Sequence, residues 1–522
     1  MTAYVLWTMI QSEVRLRTRR ISSIVAILAV VAITWMMIAD PISGSILISV
    51  GDARVVYNSL CLALGSSLLA NLFFGLGGFY LVRGRMNDDF RSGCGSVLAT
   101  MPISNSVFLI GRWLGAVAYL CVLILALLAT ILVLHLLRGE GPIQLLVYLK
   151  TYVIVFFPSV IFACSMALFC EAFAPLSGKA GDVAYFFVWM LQSTVPIVIA
   201  DHGSVTSWTP AMIFDFSGVA TSNLGFLAMF HTSHFSIGIS DFDKTLPPVV
   251  LEGEFWSTVV VLTRLAGGVI AVLPVLLAIA LFHRFSPDKI KLSVRRQSWS
   301  LIGFANRLLR PLTKLTRPLF ALAASLPGFT GQVLAELALS LASSPIMSAG
   351  LLFAILVGCT VGSAMLGGFV LIAVAFWGVQ ISDLSVRDYQ SDTESMTAAV
   401  MGGASMRYWR QIVASCLLGL LLTAPVIVRW AGHDMLRAVT LVSGIFAIAT
   451  TANLLGRITR TSRTFIALFL FGLYLATQIK DVPFLDVVGA NGVATMSSVV
   501  MQSLFGLIMC VFAKGYNRWR VA

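Results

Sequence analysis

The residues of this chain that could do chemistry are few, and they fall in two settings. His202, His231 and His234 share one polar stretch with Asp241 and Asp243. His231-Thr-Ser-His234 followed by Asp241-Phe-Asp243 offers nitrogen and oxygen donors of the kind a transition metal takes. The spacing matches no strong metal signature, so His231, His234, Asp241 and Asp243 are weak candidates in a stretch that reads as a solvated, partly structured loop. No segment reads Gly-x-x-x-x-Gly-Lys-(Ser/Thr). The nearest, Ser177-Gly178-Lys179-Ala180, lacks the first glycine and the hydroxyl, so the chain is not expected to cradle ATP itself. No Ser/His/Asp or Cys/His set has the spacing of a nucleophilic enzyme. The second setting is apolar: Lys150 and Arg264 lie inside long hydrophobic runs, and Arg112 and Asp182 lie at the ends of others. Charges there are costly and mark either function or structural pairing. Lys150 is about six residues, roughly 9 Å, from its helix end, close enough to snorkel. Lys150 and Arg264 are candidates for a substrate pathway, with an interfacial or interhelical role as the first reading.

The elements that position these groups are hydrophobic. Residues of the AVILMFWYC group make up 58% of the chain and charged residues 11%, against roughly 45–50% and about 25% in a soluble domain. Apolar runs near the length needed to cross a core of about 30 Å recur throughout. We expect an all-α polytopic membrane protein with spans at 21–39, 59–82, 113–137, 144–170, 181–200, 258–283, 345–363, 365–381, 411–430, 435–455, 463–479 and 490–514. The pair 345–381 leaves almost no loop and is either two spans or one kinked segment. With an inside N-terminus, segments assigned inside carry 27 Lys/Arg and those assigned outside six: Arg54, Arg138, Lys244, Arg429, Arg437 and Lys480. That excess fits the positive-inside rule, although Arg429 and Arg437 run against it locally. The net charge of +12 therefore reads as topology and not as affinity for nucleic acid. None of the eight cysteines lies in an outer segment, so no disulfide framework is expected. Met1–Arg20 shows no signal-peptide cleavage pattern.

One polar insert stands out between two apolar runs. Residues 83–115, RGRMNDDFRSGCGSVLATMPISNSVFLIGRWLG, hold a short helix expected over 88–101, a break at Pro102-Ile-Ser-Asn105, and a long apolar helix with Arg112 near its mouth. The pattern returns about 300 residues later in 387–419, where Gly402-Gly403-Ala404-Ser405 replaces the break and Arg407 and Arg410 precede the apolar run. Glu13 before the first span is likewise mirrored by Glu336 before the seventh. Two six-span units in parallel orientation follow, a plan many transporters use. The first unit covers 1–283, with an interfacial elbow helix at 2–20, the insert at 83–112 and an outer loop at 201–256. The second covers 329–522, with an elbow at 330–344 and an insert at 382–410. Between them, 284–328 is a basic linker, either solvated or lying on the inner leaflet at about 1 kcal/mol per basic residue.

An amphipathic helix with an acid and Arg/Leu alternation, two spans, and then an insert reading Asp88-Asp-Phe-Arg-Ser-Gly, Leu98-Ala-Thr-Met-Pro-Ile-Ser104 and Gly111-Arg-Trp-Leu resembles the membrane subunit of type-2 ABC transporters. The family usually has Glu and Gly-Thr where this chain has Asp88/Asp89 and Ser92-Gly93. His283-Arg-Phe-Ser-Pro-Asp288 is similar to the basic tail after that family's last span. The resemblance implies that Asp88, Asp89, Phe90, Arg91, Leu98, Met101 and Pro102 belong to a coupling helix. In the second copy it points to Asp388, Tyr389, Glu394 and Met401. Such helices dock on two copies of a cytoplasmic ABC ATPase subunit, which would bind ATP and Mg; this chain would bind no cofactor. Membrane lipids are the other expected partners, and a homodimer or an accessory membrane or periplasmic subunit stays open. The implied setting is the bacterial inner membrane with both termini cytoplasmic. The implied activity is export of a lipid, peptide or amphipathic small molecule by alternating access, without an ATPase site in this chain. Two other classes compete. A twelve-span secondary carrier would need a titratable centre at mid-membrane, and a membrane enzyme or assembly factor would use the loop 201–256.

Overall fold

The computed structural model describes residues 2–19, 21–40, 44–176, 178–201, 208–230, 235–251, 253, 255–282, 301–399, 403–480 and 482–521. They form two compact units that divide at Gln297/Ser298. The expected calls at His231, His234, Met401 and 283–288 lie outside the described residues.

In the first unit, α1 (Thr2–Thr18) leads into α2 (Ile21–Met37) at 74°. α3 (Ser59–Val82) is followed by two short helices, α4 (Arg85–Arg91) and α5 (Cys94–Thr100), and then by α6 (Asn105–Arg138), α7 (Leu145–Ala172) and α8 (Lys179–Asp201). α9 (Val219–Phe230), α10 (Thr258–Ile270) and α11 (Leu273–Leu281) complete it. The ends have local causes. Asn58 caps α3 by accepting the Cys61 amide at 2.9 Å, and Ser104 caps α6 by accepting that of Val107 at 3.3 Å. Small residues let α3 approach its neighbours: Gly75 lies against Ser159 and Trp189, and Gly78 against Leu120 and Ala163. The span expected over 258–283 runs through Thr258–Leu281 with a one-turn irregularity at Ala271–Val272 between α10 and α11, where Pro274 stands in the first turn of α11.

The all-α expectation needs one correction. Residues 45–50 (β1), 53–54 (β2) and Phe235–Asp241 (β3) form a small antiparallel sheet in the order β2-β1-β3. Gly51 and Asp52 turn the hairpin with φ of 53° and 63°, the positive values a two-residue turn needs. This sheet ties the connection between α9 and α10 to the connection between α2 and α3.

The second unit begins earlier than the sequence suggested. α12 (Leu301–Leu308), a 3-10 turn at Arg310–Thr316 and α13 (Arg317–Ser325), read above as linker, belong to it. α14 (Gly328–Ser343) meets α15 (Pro345–Thr360) at 100°. α16 (Leu366–Ile381) runs antiparallel to α15, with Gly350 under Phe376 and Gly358 under Phe369, so 345–381 is a helical hairpin. α17 (Arg387–Gln390) and α18 (Glu394–Ala398) form the second insert, followed by α19 (Gly403–Ala431), α20 (Met435–Thr459), α21 (Arg463–Gln478) and α22 (Met496–Val521).

Among the described residues nine helices are long and apolar enough to cross a membrane, and eleven if each of two bent pairs counts as one span. The chain is a multi-pass helical membrane protein. Each of the twelve stretches read from the sequence overlaps helix, but residues 490–495 precede α22, and α15 and α21 have 16 residues each, about 24 Å of helix, short of a core of about 30 Å.

Helix contact in the second unit can be tested at two glycines. A Cβ on Gly444 of α20 would run into the carbonyl of Val487, whereas one on Gly472 of α21 would meet nothing within 4 Å. Gly444→Ala should cost about 1–3 kcal/mol through overpacking and lower the melting temperature in detergent. Gly472→Ala should be neutral or gain roughly 0.5–1 kcal/mol. Equal melting temperatures for the two variants would contradict this packing.

Candidate functional site

The insert of the first unit is fixed by buried charge. Glu13 of α1, 5% exposed, faces three arginines. Arg85 Nε donates to its Oε1 at 3.2 Å, Arg17 Nε lies 3.4 Å from Oε2, and Arg112 Nε lies 3.9 Å from Oε1. Asp89 of α4, 3% exposed, accepts from Arg112 Nη2 and lies 3.6 Å from Arg85 Nη2. Burial works against the charge on Arg85, but the Glu13 and Asp89 carboxylates more than offset it and hold its pKa above the ordinary value. Arg17 also donates to the carbonyl of Val82 at 2.9 Å, closing the end of α3, and the Arg112 guanidinium stacks 4.5 Å from the Phe108 ring.

Two further contacts lock the insert to neighbouring helices. Glu171, at the end of α7, accepts the amides of Gly84 and Met86, so a carboxylate serves the free N–H groups at the start of α4. Arg83 pairs with Asp182 of α8 and donates to the carbonyls of Leu176 and Gly178 at 2.7 and 3.0 Å. Apolar contacts follow the same path: Met86, with Leu98 and Ala99, packs against Phe108, Leu168, Val275 and Phe282. Between Arg17, Arg85, Arg112, Trp113 and Glu171 lies a cavity of about 20 Å³, room for one water. This is a charge knot and not a substrate pocket.

The helix expected over 88–101 is two, because Gly93 adopts φ 74° between α4 and α5. That left-handed residue turns α5 so that Leu98 faces the unit's own core, while Val97 is 60% and Met101 39% exposed. Pro102 is exposed and Asp88 half-buried; the side chains of Phe90 and Arg91 lie outside the described set.

The second insert is held in the same order. Glu336 of α14, 5% exposed, pairs with Arg387 at the start of the insert and with Arg410 of α19, whose Nε is 2.9 Å away. Arg407 lies 3.5 Å from Asp388 and 3.6 Å from Glu394. The Arg460 guanidinium lies 4.7 Å from the Tyr389 ring, and Arg457 donates to Gln411 at 2.9 Å. Met396 on α18 is 71% exposed.

The opposite ends of the two units also correspond. Arg138, ending α6, donates to the carbonyl of Ile38 just after α2. Arg429, near the end of α19, donates to the carbonyls of Gly358 and Val361 at the end of α15, at 3.0 and 2.6 Å.

The remaining sequence candidates fall elsewhere. Arg264 of α10 is buried, and its guanidinium donates to the backbone carbonyls of Ile154, Val155, Asp215 and Phe216. The carboxylate of Asp215 in turn accepts the amides of Gly218 and Thr221 at the start of α9. Arg264 thus pins 215–221 to α7. Lys150 is exposed on α7. Asp241 accepts from Ser45 at 2.9 Å across the sheet. Asp243 accepts the amide and hydroxyl of Thr245, which hold its carboxyl below the ordinary pKa. Among the described residues no group of three His, Cys, Asp or Glu side chains could hold a metal ion. Sequence reasoning missed Arg83, Arg85 and Glu171; the available signal was an acid or an arginine at the border of an apolar run.

Fold and site together define a multi-pass helical membrane protein in which two polar inserts are clamped by buried ion pairs. Comparison with family models, with curated proteins and with solved structures finds no match.

Removing one partner from a buried ion cluster costs about 3–5 kcal/mol. Glu13→Gln should therefore lower the melting temperature in detergent substantially. Arg54→Gln, which breaks the partly exposed pair with Glu140 (27% and 40% side-chain exposure), should cost under about 1 kcal/mol. A Glu13→Gln protein as stable as Arg54→Gln would show that the knot carries little of the unit's stability.

Proposed function

We propose that the chain is the membrane permease of an ATP-driven exporter of the type-2 ABC kind, built as two parallel six-helix repeats and energised by separate ATPase subunits. One observation carries the reading. In each unit a buried glutamate on the amphipathic helix before the first span joins an arginine at the start of the insert to one at the base of the third span. These are Glu13, Arg85 and Arg112 in the first unit, and Glu336, Arg387 and Arg410 in the second. The arginine that ends the third span and closes the carbonyls of the first, Arg138 or Arg429, supports the same repeat.

The arrangement suits force transmission. Each insert is tied to the elbow helix and the third span, yet it turns an apolar side chain outward: Val97 in the first unit and Met396 in the second. A cytoplasmic ATPase that gripped these tips would move the elbow and third span with the insert, because breaking the buried pairs would cost several kcal/mol. ATP-driven closure of the two ATPases would then rock the helix units between inward- and outward-facing states, to the extent that the ATPases favour one state over the other. The cargo class is amphipathic: a lipid, a peptide or a small molecule.

The experiment is purification of the full chain from its native host in mild detergent, with identification of the proteins that accompany it. An ATPase bearing a phosphate-binding loop should co-purify. Val97→Asp combined with Met396→Asp should lose that subunit while the chain keeps its melting temperature, since both side chains are exposed. Retention of the ATPase and of its full activity in the double variant would refute docking through the inserts.

A further inference from the structure

We propose that residues 301–326 are a lipid-surface anchor that seats the second unit on an anionic leaflet. The segment is α12, the 3-10 turn at Arg310–Thr316 and α13. Its inward side is fixed to the unit: Asn306 Oδ1 accepts the amide of Ile346 at the start of α15 at 3.0 Å, and Thr316 and Ala323 are buried. Its outward side is apolar. Phe304, Leu308, Leu315 and Leu322 are 65%, 71%, 56% and 50% exposed; Phe304 and Leu308, four apart, share one face of α12, and the 3-10 turn and α13 extend the exposed apolar stripe by one residue each.

Neither helix can carry this stripe through a membrane. α12 has 8 residues and α13 has 9, about 12–14 Å of helix each, less than half a hydrocarbon core. A solvated linker does not explain four large apolar side chains held outward either. A surface-lying helix buries such a stripe at the boundary between headgroups and acyl chains.

The charges select the kind of surface. Arg307, Arg310, Lys314 and Arg317 are all exposed and lie three or four residues apart, interleaved with the apolar stripe. There is no acidic residue anywhere from 301 to 335, and none of the four arginine and lysine side chains makes an ion pair with a described residue. Each basic group near an anionic leaflet favours attachment by about fivefold, so four together favour it by up to several hundredfold. A neutral protein groove would accept the apolar stripe but gives no reason for four unpaired cations beside it. Phosphatidylglycerol or another anionic lipid satisfies both.

The test uses the full chain in nanodiscs of phosphatidylcholine alone and of phosphatidylcholine with phosphatidylglycerol. Amide hydrogen exchange is followed by mass spectrometry over 301–326. Exchange should slow about tenfold or more in the anionic discs, and the protection should fall as salt is raised. The variant Arg307→Gln/Arg310→Gln/Lys314→Gln/Arg317→Gln should lose the difference between the discs. Equal exchange of the unaltered chain in both discs overturns the proposal, and that comparison needs no variant to fold. An anionic-lipid effect that survives in the fourfold variant overturns it as well.

Discussion

A buried guanidinium needs acceptors close by, and in each unit a buried glutamate on the helix that opens it, Glu13 of α1 or Glu336 of α14, supplies them to arginines of the insert and of the long helix after it. Ion desolvation is worth several kcal/mol per group even after relaxation, so Glu13 and Glu336 cannot be incidental. Three arginines converge on Glu13 and two on Glu336. Once the acid is in place, the elbow must lie across the base of the third span, and the insert must start where its first arginine reaches back. The 74° and 100° bends between elbow and first span follow from that requirement. A straight continuation would carry the acid away from the arginines it neutralises.

The two units meet this constraint with unequal reinforcement. The first insert is also held by Glu171 from α7 and by the Arg83–Asp182 pair from α8, and Met86, Leu98 and Ala99 add apolar packing. The second insert is held by Glu336, Asp388 and Glu394 against Arg387, Arg407 and Arg410, and its helices α17 and α18 are only 4 and 5 residues long. Shorter helices with fewer neighbouring elements tied to them leave less holding a segment against local opening. Under the proposed function, the first insert is the stiffer lever.

The apolar runs were legible because hydropathy states directly which stretches cannot face water, and each expected span overlaps helix. The two polar inserts, and an acid on the helix that opens each unit, Glu13 and Glu336, were also visible in order and spacing. The partners were not. Nothing in the sequence says that Glu13 is shared by Arg17, Arg85 and Arg112, because three of those four residues come from separate elements brought together only by helix packing. Leu98 was expected in the coupling helix; after the left-handed Gly93 it packs against the unit's core, and Val97 beside it is exposed. Such a turn depends on one backbone angle, which a pattern of residue types does not encode. The sheet was missed for a different reason. Ile46-Leu-Ile-Ser-Val50-Gly-Asp-Ala-Arg carries a hairpin signal, but the hydrophobic count of the neighbouring spans masked it.

The arginines at the far ends of the units sharpen how charge should be read in such a chain. Counted by type, Arg54, Arg138, Arg429 and Arg437 oppose the positive-inside pattern. Counted by partner, they do not behave as free cations. Arg54 pairs with Glu140 at 2.8 Å, and Arg138 and Arg429 close the carbonyl ends of first spans. Arg437 donates to Gly489 and Ala490 at 2.6 and 2.7 Å and stacks on Trp430. At Arg138 and Arg429 a guanidinium engaged with carbonyls that would otherwise lack donors serves helix termination, and its position is dictated by where a helix ends. The two acids Glu13 and Glu336 make the converse point at the insert ends, where their arginines are equally committed. In the described part of this chain the densest run of cations that no described group engages is Arg307, Arg310, Lys314 and Arg317.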